Sequence, residues 1–372
     1  MNQIIEKIKL FNVVDDVVNL KQLSGGHINT TYLVTTAQEN QTNKYVLQKI
    51  NKYVFKNPDE VMQNIVSITN FIKDKISSKG QNYKRKVLNF LQSTNGLPYI
   101  IDENGDYWRM YEFIDQSVCY DNTSDLKIIE ETGKAFGEFQ LHLDDYPIEE
   151  LYITIKNFHN LPMRYDYFDQ VIKIDKFDRR NKVSSEIESF FNLENYVSQL
   201  NLMLENGELP YRVTHNDTKC NNVLFDKNTN KKLCVIDLDT VMPGLVAFDY
   251  GDAIRCIANL SREDEKDLSK VKLDLNRFKA FTKGFLSSVG DKLTDKEKET
   301  LYLGPISIAT ELALRFLTDY LEGDVYFKTD YLEHNLDRAR CQLELAKDML
   351  LKKEKMKEII DECLRENQRN LI

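Results

Sequence analysis

The stretch "THNDTKCNNVLFD" at residues 214–226 sets a histidine, an aspartate, a lysine and two adjacent asparagines between apolar residues. Close behind it, "CVIDLDTVMPG" at 234–244 again places carboxylates against an apolar run. Taking a charge out of water is costly unless it is paired or holds a cation. "NNVLFD" and "KKLCVIDLDTV" are short apolar runs bounded by turn residues, and they read as two paired strands. A polar loop therefore enters a hairpin, and a further aspartate, Asp237, follows on its second strand.

The rest of the chain limits what such a loop can serve. At 372 residues it is too long for one small core and suits two domains or lobes. A formal net charge of −9 speaks against a nucleic-acid surface, which needs clustered Lys and Arg. The opening "MNQIIEKIKLFNVVDD" carries charges every few residues, so it reads as neither a signal peptide nor a membrane span. Cys119, Cys220, Cys234, Cys256, Cys341 and Cys363 are scattered without C-x-x-C spacing, which suits free thiols and a cytoplasmic location.

Residues 1–114 read as strands around one helix. "INTTYLVTT" (28–36) and "KYVLQKI" (44–50) are rich in β-branched and aromatic residues, with the polar "AQENQTN" between them. "NPDEVMQNIVSITNFIKDKI" (57–76) reads as a helix capped by Asn57, with Val61, Ile65, Ile68, Ile72 and Ile76 on its core face. In "PYIIDENGDYWRMYEFI" (98–114), Asn104-Gly105 between apolar runs marks a hairpin, and Trp108 falls in its core. From about residue 124 the pattern is helical: 124–145 with a Ser124 cap, then 184–206, 262–290, 294–322 and 330–367. Gly133 and Gly137, four apart, allow a neighbouring helix to come close. The expected fold is α+β and protein-kinase-like. A small antiparallel β lobe with one helix (1–114) binds nucleotide, and a larger, mainly helical lobe (115–372) carries the catalytic hairpin and acceptor site.

The loop resembles the kinase pattern H-x-D-x-x-x-x-N followed by a second aspartate. His215, Asp217 and Asn222 hold that spacing, with Asp237 beyond. In this reading Asp217 faces the acceptor hydroxyl, Asn222 faces a metal from the same side, and Asp237 completes the metal site. Oxygen ligands of this kind suit Mg²⁺. The plainer alternative, a polar loop whose Asp and Asn residues only make turns, leaves the second aspartate unexplained. The longer strings "SGGHINTTYLV" (24–34), "HNDTKCNNVLFD" (215–226), "CVIDLDTVMPGLVAFDYGDAIR" (234–255) and "LRFLTDYLEGDVYF" (314–327) resemble the aminoglycoside phosphotransferase and choline kinase superfamily, and within it the N-acetylhexosamine 1-kinases.

That resemblance implies an ATP- and Mg²⁺-dependent kinase that phosphorylates the anomeric O1 of N-acetylglucosamine or N-acetylgalactosamine. Asp217 is then the catalytic base, Asn222 and Asp237 are metal ligands, Asp239 assists through water, and Asp249 buttresses the loop. For Asp249 a helix N-cap is the competing reading. His215 packs under the loop. Gly25, Gly26, His27 and Asn29 belong to the turn that covers the phosphates, with adenine against Glu112 and Phe113 in "MYEFI". A strand-borne cation is expected at the phosphates. Lys49 offers one, but alternation puts Gln48 on the opposite face, so either of the two can turn inward. The resemblance assigns Arg315 and Tyr326 to the sugar, whereas spacing alone lets Glu311, Arg315 and Asp319 form a surface charge ladder. Rival readings are a kinase of the same fold acting on an aminoglycoside, choline or another amino alcohol, a nucleotide-binding regulator without catalysis, and a helical scaffold. The expected partners are ATP and a small-molecule sugar, without nucleic acid or membrane.

Overall fold

β-branched and aromatic residues alternate with polar ones in "TTYLVTTAQ" and "QTNKYVLQK", and these segments become the centre of an antiparallel sheet. The structure is a computed structural model that describes residues 2–23, 28–38 and 41–370. Strands β1 (Asp16–Leu23), β2 (Thr30–Gln38), β3 (Gln41–Lys49), β4 (Ile100–Ile101) and β5 (Tyr107–Glu112) form a five-stranded sheet in the order β1-β2-β3-β5-β4. The β2–β3 ladder runs to the pair Gln38↔Gln41, so most of the expected polar turn is strand. The β4–β5 hairpin turns where expected, with Gly105 in the left-handed region at φ 71°.

Helix α1 (Asn2–Lys9) and the residues after it add Ile8, Phe11 and Val13 to Val34, Leu47, Trp108 and Met110 in one core. Helix α2 (Pro58–Ser78) buries Val61, Ile65, Ile68, Ile72 and Ile76 as its period requires. Asn57 does not cap it; its side chain donates to Glu60 Oε2 at 3.1 Å instead. Further strands are β6 (Ser117–Val118), β7 (Arg212–Thr214), β8 (Val223–Asp226) and β9 (Lys232–Val235), and β6, β8 and β9 form a three-stranded sheet. The β8–β9 register pairs Val223 with Val235, so β9 ends before Asp237.

The chain divides into two compact units. One comprises Met1–Cys119, Asp145–Ile155 and Val223–Met242; the other comprises Tyr120–Asp144, Lys156–Asn222 and Pro243–Ile372. The second is built from helices α3 (Leu126–His142), α4 (Leu161–Ile174), α5 (Ser184–Val197), α6 (Gln199–Glu205), α7 (Val246–Ile257), α8 (Leu275–Val289), α9 (Asp295–Thr300), α10 (Leu303–Leu321), α11 (His334–Leu351) and α12 (Lys353–Asn370). The cap of α3 is Asp125, one residue after the expected Ser124, accepting from Lys127 N at 2.8 Å. Helix α8 begins at Leu275 rather than near 262, because Asp274 caps it through Asn276 N and Arg277 N. Among the described residues no helix is long and apolar enough to cross a membrane. All six cysteines are free.

Gly133 and Gly137 face α8 as the spacing requires. A Cβ on Gly133 would collide with Phe281 O, and one on Gly284 of α8 would collide with Glu130 O. The two helices touch backbone to backbone. Gly133→Ala should therefore destabilise the protein by about 1–3 kcal/mol, the usual scale of core overpacking. Urea unfolding of the variant beside wild type measures this.

Candidate active site

Strand β7 delivers the chain to a loop that could not hold its shape from local sequence alone. Asn216 lies in the left-handed region at φ 64°. Asp249, in the first turn of α7, accepts from His215 N at 2.8 Å, Asn216 N at 2.7 Å and Gln140 Nε2 at 2.9 Å. One turn on, Asp252 accepts from Thr218 N at 3.0 Å and from Arg255 Nη2 at 2.9 Å. The amides on both sides of Asp217 are thus held by α7. Burial pushes the Asp249 carboxyl up, and the donors around it oppose that shift. Helix α7 starts at Val246 with Leu245 at its cap position, so Asp249 is a loop buttress and not an N-cap.

His215 is fully buried, with Phe136 and Phe139 edge-on at 5.5 and 5.8 Å between centroids, and its Nδ1 accepts from Asp217 N at 3.3 Å. The Asp217 carboxylate has a cation on one oxygen and an amide on the other. Lys219 Nζ lies 2.6 Å from Oδ1, and Asn222 Nδ2 donates to Oδ2 at 3.0 Å and to the Asp217 carbonyl at 2.8 Å. Burial lowers the Lys219 ammonium, but Asp217 and Asp252 more than offset it and keep it charged well above its ordinary range. The sequence pattern gave Lys219 no role. A basic residue two positions from Asp217, on the same loop, was the available signal.

In the other unit, Arg109 on β5 lies directly across from Gln48 on β3 and is buried. Its Nε donates to Gln48 Oε1 at 3.0 Å, and its Nη1 pairs with Asp239 Oδ1. Asn29 Nδ2 donates to the other oxygen, Oδ2, at 2.6 Å, while Asn29 Oδ1 accepts from Asn51 N at 2.9 Å. Burial lowers the Arg109 guanidinium, and Asp239 more than restores it. Gln48 therefore takes the inward face, and the buried strand cation is Arg109, which sequence reasoning passed over. An arginine between Trp108 and Met110, both buried, demands a buried partner. Lys49 points away, paired with Asp106.

Asp239 does not share a strand with Asp237. Asp237 sits in the left-handed region at φ 61°, and Asp239 lies in the single 3₁₀ turn Leu238–Thr240 that follows. Both Asp239 oxygens accept, one from Arg109 and the other from Asn29, so this carboxylate carries a structural ion pair. Phe113 N donates to Lys44 O at 3.0 Å and Glu112 N to Asn89 O at 3.0 Å, so the amides of both residues expected against adenine are engaged. Gly25, Gly26 and His27 lie outside the described residues.

The expected charge ladder on α10 does not form at the surface, because Glu311 and Asp319 are both buried. Glu311 Oε1 accepts from Arg164 Nε at 2.6 Å, and Oε2 meets His159 Nδ1 at 2.7 Å. Burial pushes its carboxyl up, but His159, Arg164 and Arg315 together hold it well below the usual carboxylate range. Asp319 accepts from Val325 N, Tyr326 N and Phe327 N at 2.8–2.9 Å and from Asn335 Nδ2 at 2.8 Å. It thereby shapes the loop that carries Tyr326. Arg315 Nη2 is 3.5 Å from Tyr326 Oη, and its guanidinium stands over the Tyr326 and Phe327 rings at 5.7 and 5.3 Å. Burial and the neighbouring Arg164 lower the Arg315 pKa.

A sequence profile described as "Phosphotransferase enzyme family" matches residues 19–270, well over half of the chain. The chain belongs to that family. Solved structures share the fold of this phosphotransferase at low identity. A microcompartment-associated aminopropanol kinase is 15% identical over 95% of this chain and 98% of its own, with a TM-score of 0.61. An aminoglycoside phosphotransferase from Alicyclobacillus acidocaldarius is 12% identical over 98% and 96%, at 0.58. An ethanolamine kinase from Plasmodium vivax is 15% identical over 89% and 84%, at 0.54. The small antiparallel sheet and larger helical part are those of a kinase-like small-molecule phosphotransferase.

The Arg109–Asp239 pair is open to a direct stability test. Removing one member of a buried ion pair typically costs about 3–5 kcal/mol, because the other charge is left unpaired. Arg109→Met should show that loss in urea unfolding, and adding Asp239→Leu should recover most of it.

Proposed function

We propose that this phosphotransferase moves the γ-phosphoryl group of ATP to the anomeric hydroxyl of an N-acetylhexosamine. The observation that carries the acceptor class is the state of α10. Both of its buried acids are fully engaged, Glu311 by Arg164 and His159 and Asp319 by the 325–327 backbone and Asn335. Next to them stands a guanidinium, Arg315, in contact with Tyr326 Oη at 3.5 Å and stacked on two rings, with Tyr326 itself 73% exposed. A fork of N–H donors beside an aromatic ring suits neighbouring oxygens of a neutral sugar. A cationic amino alcohol would meet Arg315 and Arg164 with no free carboxylate on this helix to offset them. The structural neighbours named for aminopropanol, ethanolamine and aminoglycosides make such acceptors the second reading.

In the proposed reaction the acceptor oxygen forms a bond to the γ-phosphorus as the bond from that phosphorus to the ADP oxygen breaks. The hydroxyl proton passes to the Asp217 carboxylate. Asn222 spends its Nδ2 on Asp217, which leaves its Oδ1 for a metal, and the sequence motif assigns a second metal ligand to Asp237. Hard oxygen donors of this number fit Mg²⁺, which takes its other ligands from phosphates and water and needs no three-residue protein cluster. Among the described residues no such His, Cys, Asp or Glu cluster occurs. When bound, the metal neutralises charge on the phosphates. Lys219 is the chain's own cation beside the base. As negative charge arrives with the phosphoryl group, Lys219 can shift toward it and free Asp217 Oδ1 for the acceptor.

Incubating the protein with ATP and Mg²⁺ against N-acetylhexosamines, simple hexoses, choline, ethanolamine and aminoglycosides tests the reading, with the phosphate position read by NMR. A sugar 1-phosphate is expected; turnover of only cationic acceptors would reject the sugar assignment. Asp217→Asn should keep ATP binding and lower turnover at least ~100-fold, the scale of positioned acid–base catalysis. Arg315→Ala should lower kcat/KM for the sugar at least ~10-fold, with ATP affinity near normal, because hydrogen bonds from a charged group are lost. Arg315→Lys should recover part of the loss, since an ammonium lacks the planar fork.

A further inference from the structure

The segment before α4 passes twice through the left-handed region, at Asn157 (φ 57°) and His159 (φ 55°). Non-glycine residues persist there only where their surroundings hold them, and such strain gathers at functional sites. His159 is held from three directions. Its carbonyl accepts from Asn201 Nδ2 at 2.9 Å, its ring lies 5.2 Å from that of Phe248, and its Nδ1 meets Glu311 Oε2 at 2.7 Å. Phe248 directly precedes Asp249, so the ring contact reaches the residue that holds the catalytic loop. Asp252, which holds the other side of that loop, senses the charges of both His159 and Lys219.

Glu311 is kept ionised by its neighbours and can only accept, so the proton on Nδ1 is fixed in place. That leaves Nε2. It is shielded from solvent and has no hydrogen-bond partner in the structure. Buried polar atoms without partners are rare, and one on a ring that shares Glu311 with Arg164 calls for a partner from outside the chain. We propose that His159 is a specificity-determining residue of the acceptor site, with its Nε2 taking a hydroxyl group of the acceptor. The proposal rests on reading the Glu311–Arg315 cluster as that site. A hydroxyl can donate to the lone pair of the neutral ring and accept from the N–H of the charged one. An ammonium cannot accept, and a quaternary ammonium can do neither. Glu311 and Arg164 then act as positioning residues for the imidazole.

Two substitutions separate this role from a structural one. His159→Asn keeps an amide near Nδ1 for Glu311 and removes Nε2, whereas His159→Gln places a polar group near Nε2 and gives up the Glu311 contact. Each is compared with wild type on the best acceptor of the panel and on its deoxy analogues, alongside thermal unfolding. The expected result is a folded His159→Asn protein with normal KM for ATP and kcat/KM for the acceptor reduced at least ~10-fold, since a site built to hydrogen-bond a hydroxyl rejects its loss. One deoxy analogue should be poor with wild type and no poorer with His159→Asn, and His159→Gln should keep part of the discrimination. Wild-type acceptor kinetics in His159→Asn, or undiminished sensitivity to every deoxy analogue, would overturn the proposal. If wild type turns over an amino alcohol and no sugar, the sugar reading fails, and His159 is judged by the same variants on that acceptor. Absence of turnover with every acceptor would overturn both.

Discussion

A single buried carboxylate, that of Asp249, sets the geometry on which the 215–218 loop depends. It gathers the N–H groups of His215 and Asn216 and the amide of Gln140, and so fixes the backbone where Asn216 turns through the left-handed region. With Asp252 on Thr218 N, the chain is pinned on both sides of Asp217. Helix α7, which carries both acids, is itself fixed against α10 by glycine contacts: a Cβ on Gly304 would collide with Ala247 O, and one on Gly251 with Gly304 itself. Side-chain freedom at such a contact is nearly nil. The helix that holds the loop around Asp217 is therefore referenced to the helix that carries Glu311 and Arg315, within one compact unit.

The placement of charge follows one rule through the molecule. Three buried acids are engaged on both oxygens: Asp239 by Arg109 and Asn29, Glu311 by Arg164 and His159, and Asp319 by three backbone amides and Asn335. A buried carboxylate with a vacant lone pair is expensive, so these sites are complete before any ligand arrives. The groups left over are informative for that reason. Arg315 rests on aromatic rings, Nε2 of His159 has no hydrogen-bond partner, and Lys219 is ion-paired to the partly exposed Asp217.

The same rule explains where sequence reading reached and where it stopped. Periodicity placed α2 and its core face correctly, because five isoleucine and valine residues at three- and four-residue spacing leave a helix one face to bury. Asn104-Gly105 located its hairpin, and Gly133 and Gly137 located a close helix contact, since both depend on local backbone chemistry. Caps and ends were less legible. Asn57 turned to Glu60, Asp125 rather than Ser124 took the cap of α3, and β9 stopped short of Asp237, each decided by which nearby donor or acceptor came within reach.

By itself, then, the sequence determined the fold class, the H-x-D-x-x-x-x-N loop with its following aspartates, and the type of chemistry, because these rest on residue identity and on spacings of a few positions. Which side chains are spoken for was decided only by the tertiary structure. Asp239 is spent on Arg109, 130 residues away, and Glu311 on Arg164 and His159, 147 and 152 residues away. At those separations no local pattern records the pairing, and yet the pairing determines whether an acid is a ligand, a buttress or a surface charge. Burial and partner together assign the role, and both exist only once the chain has folded.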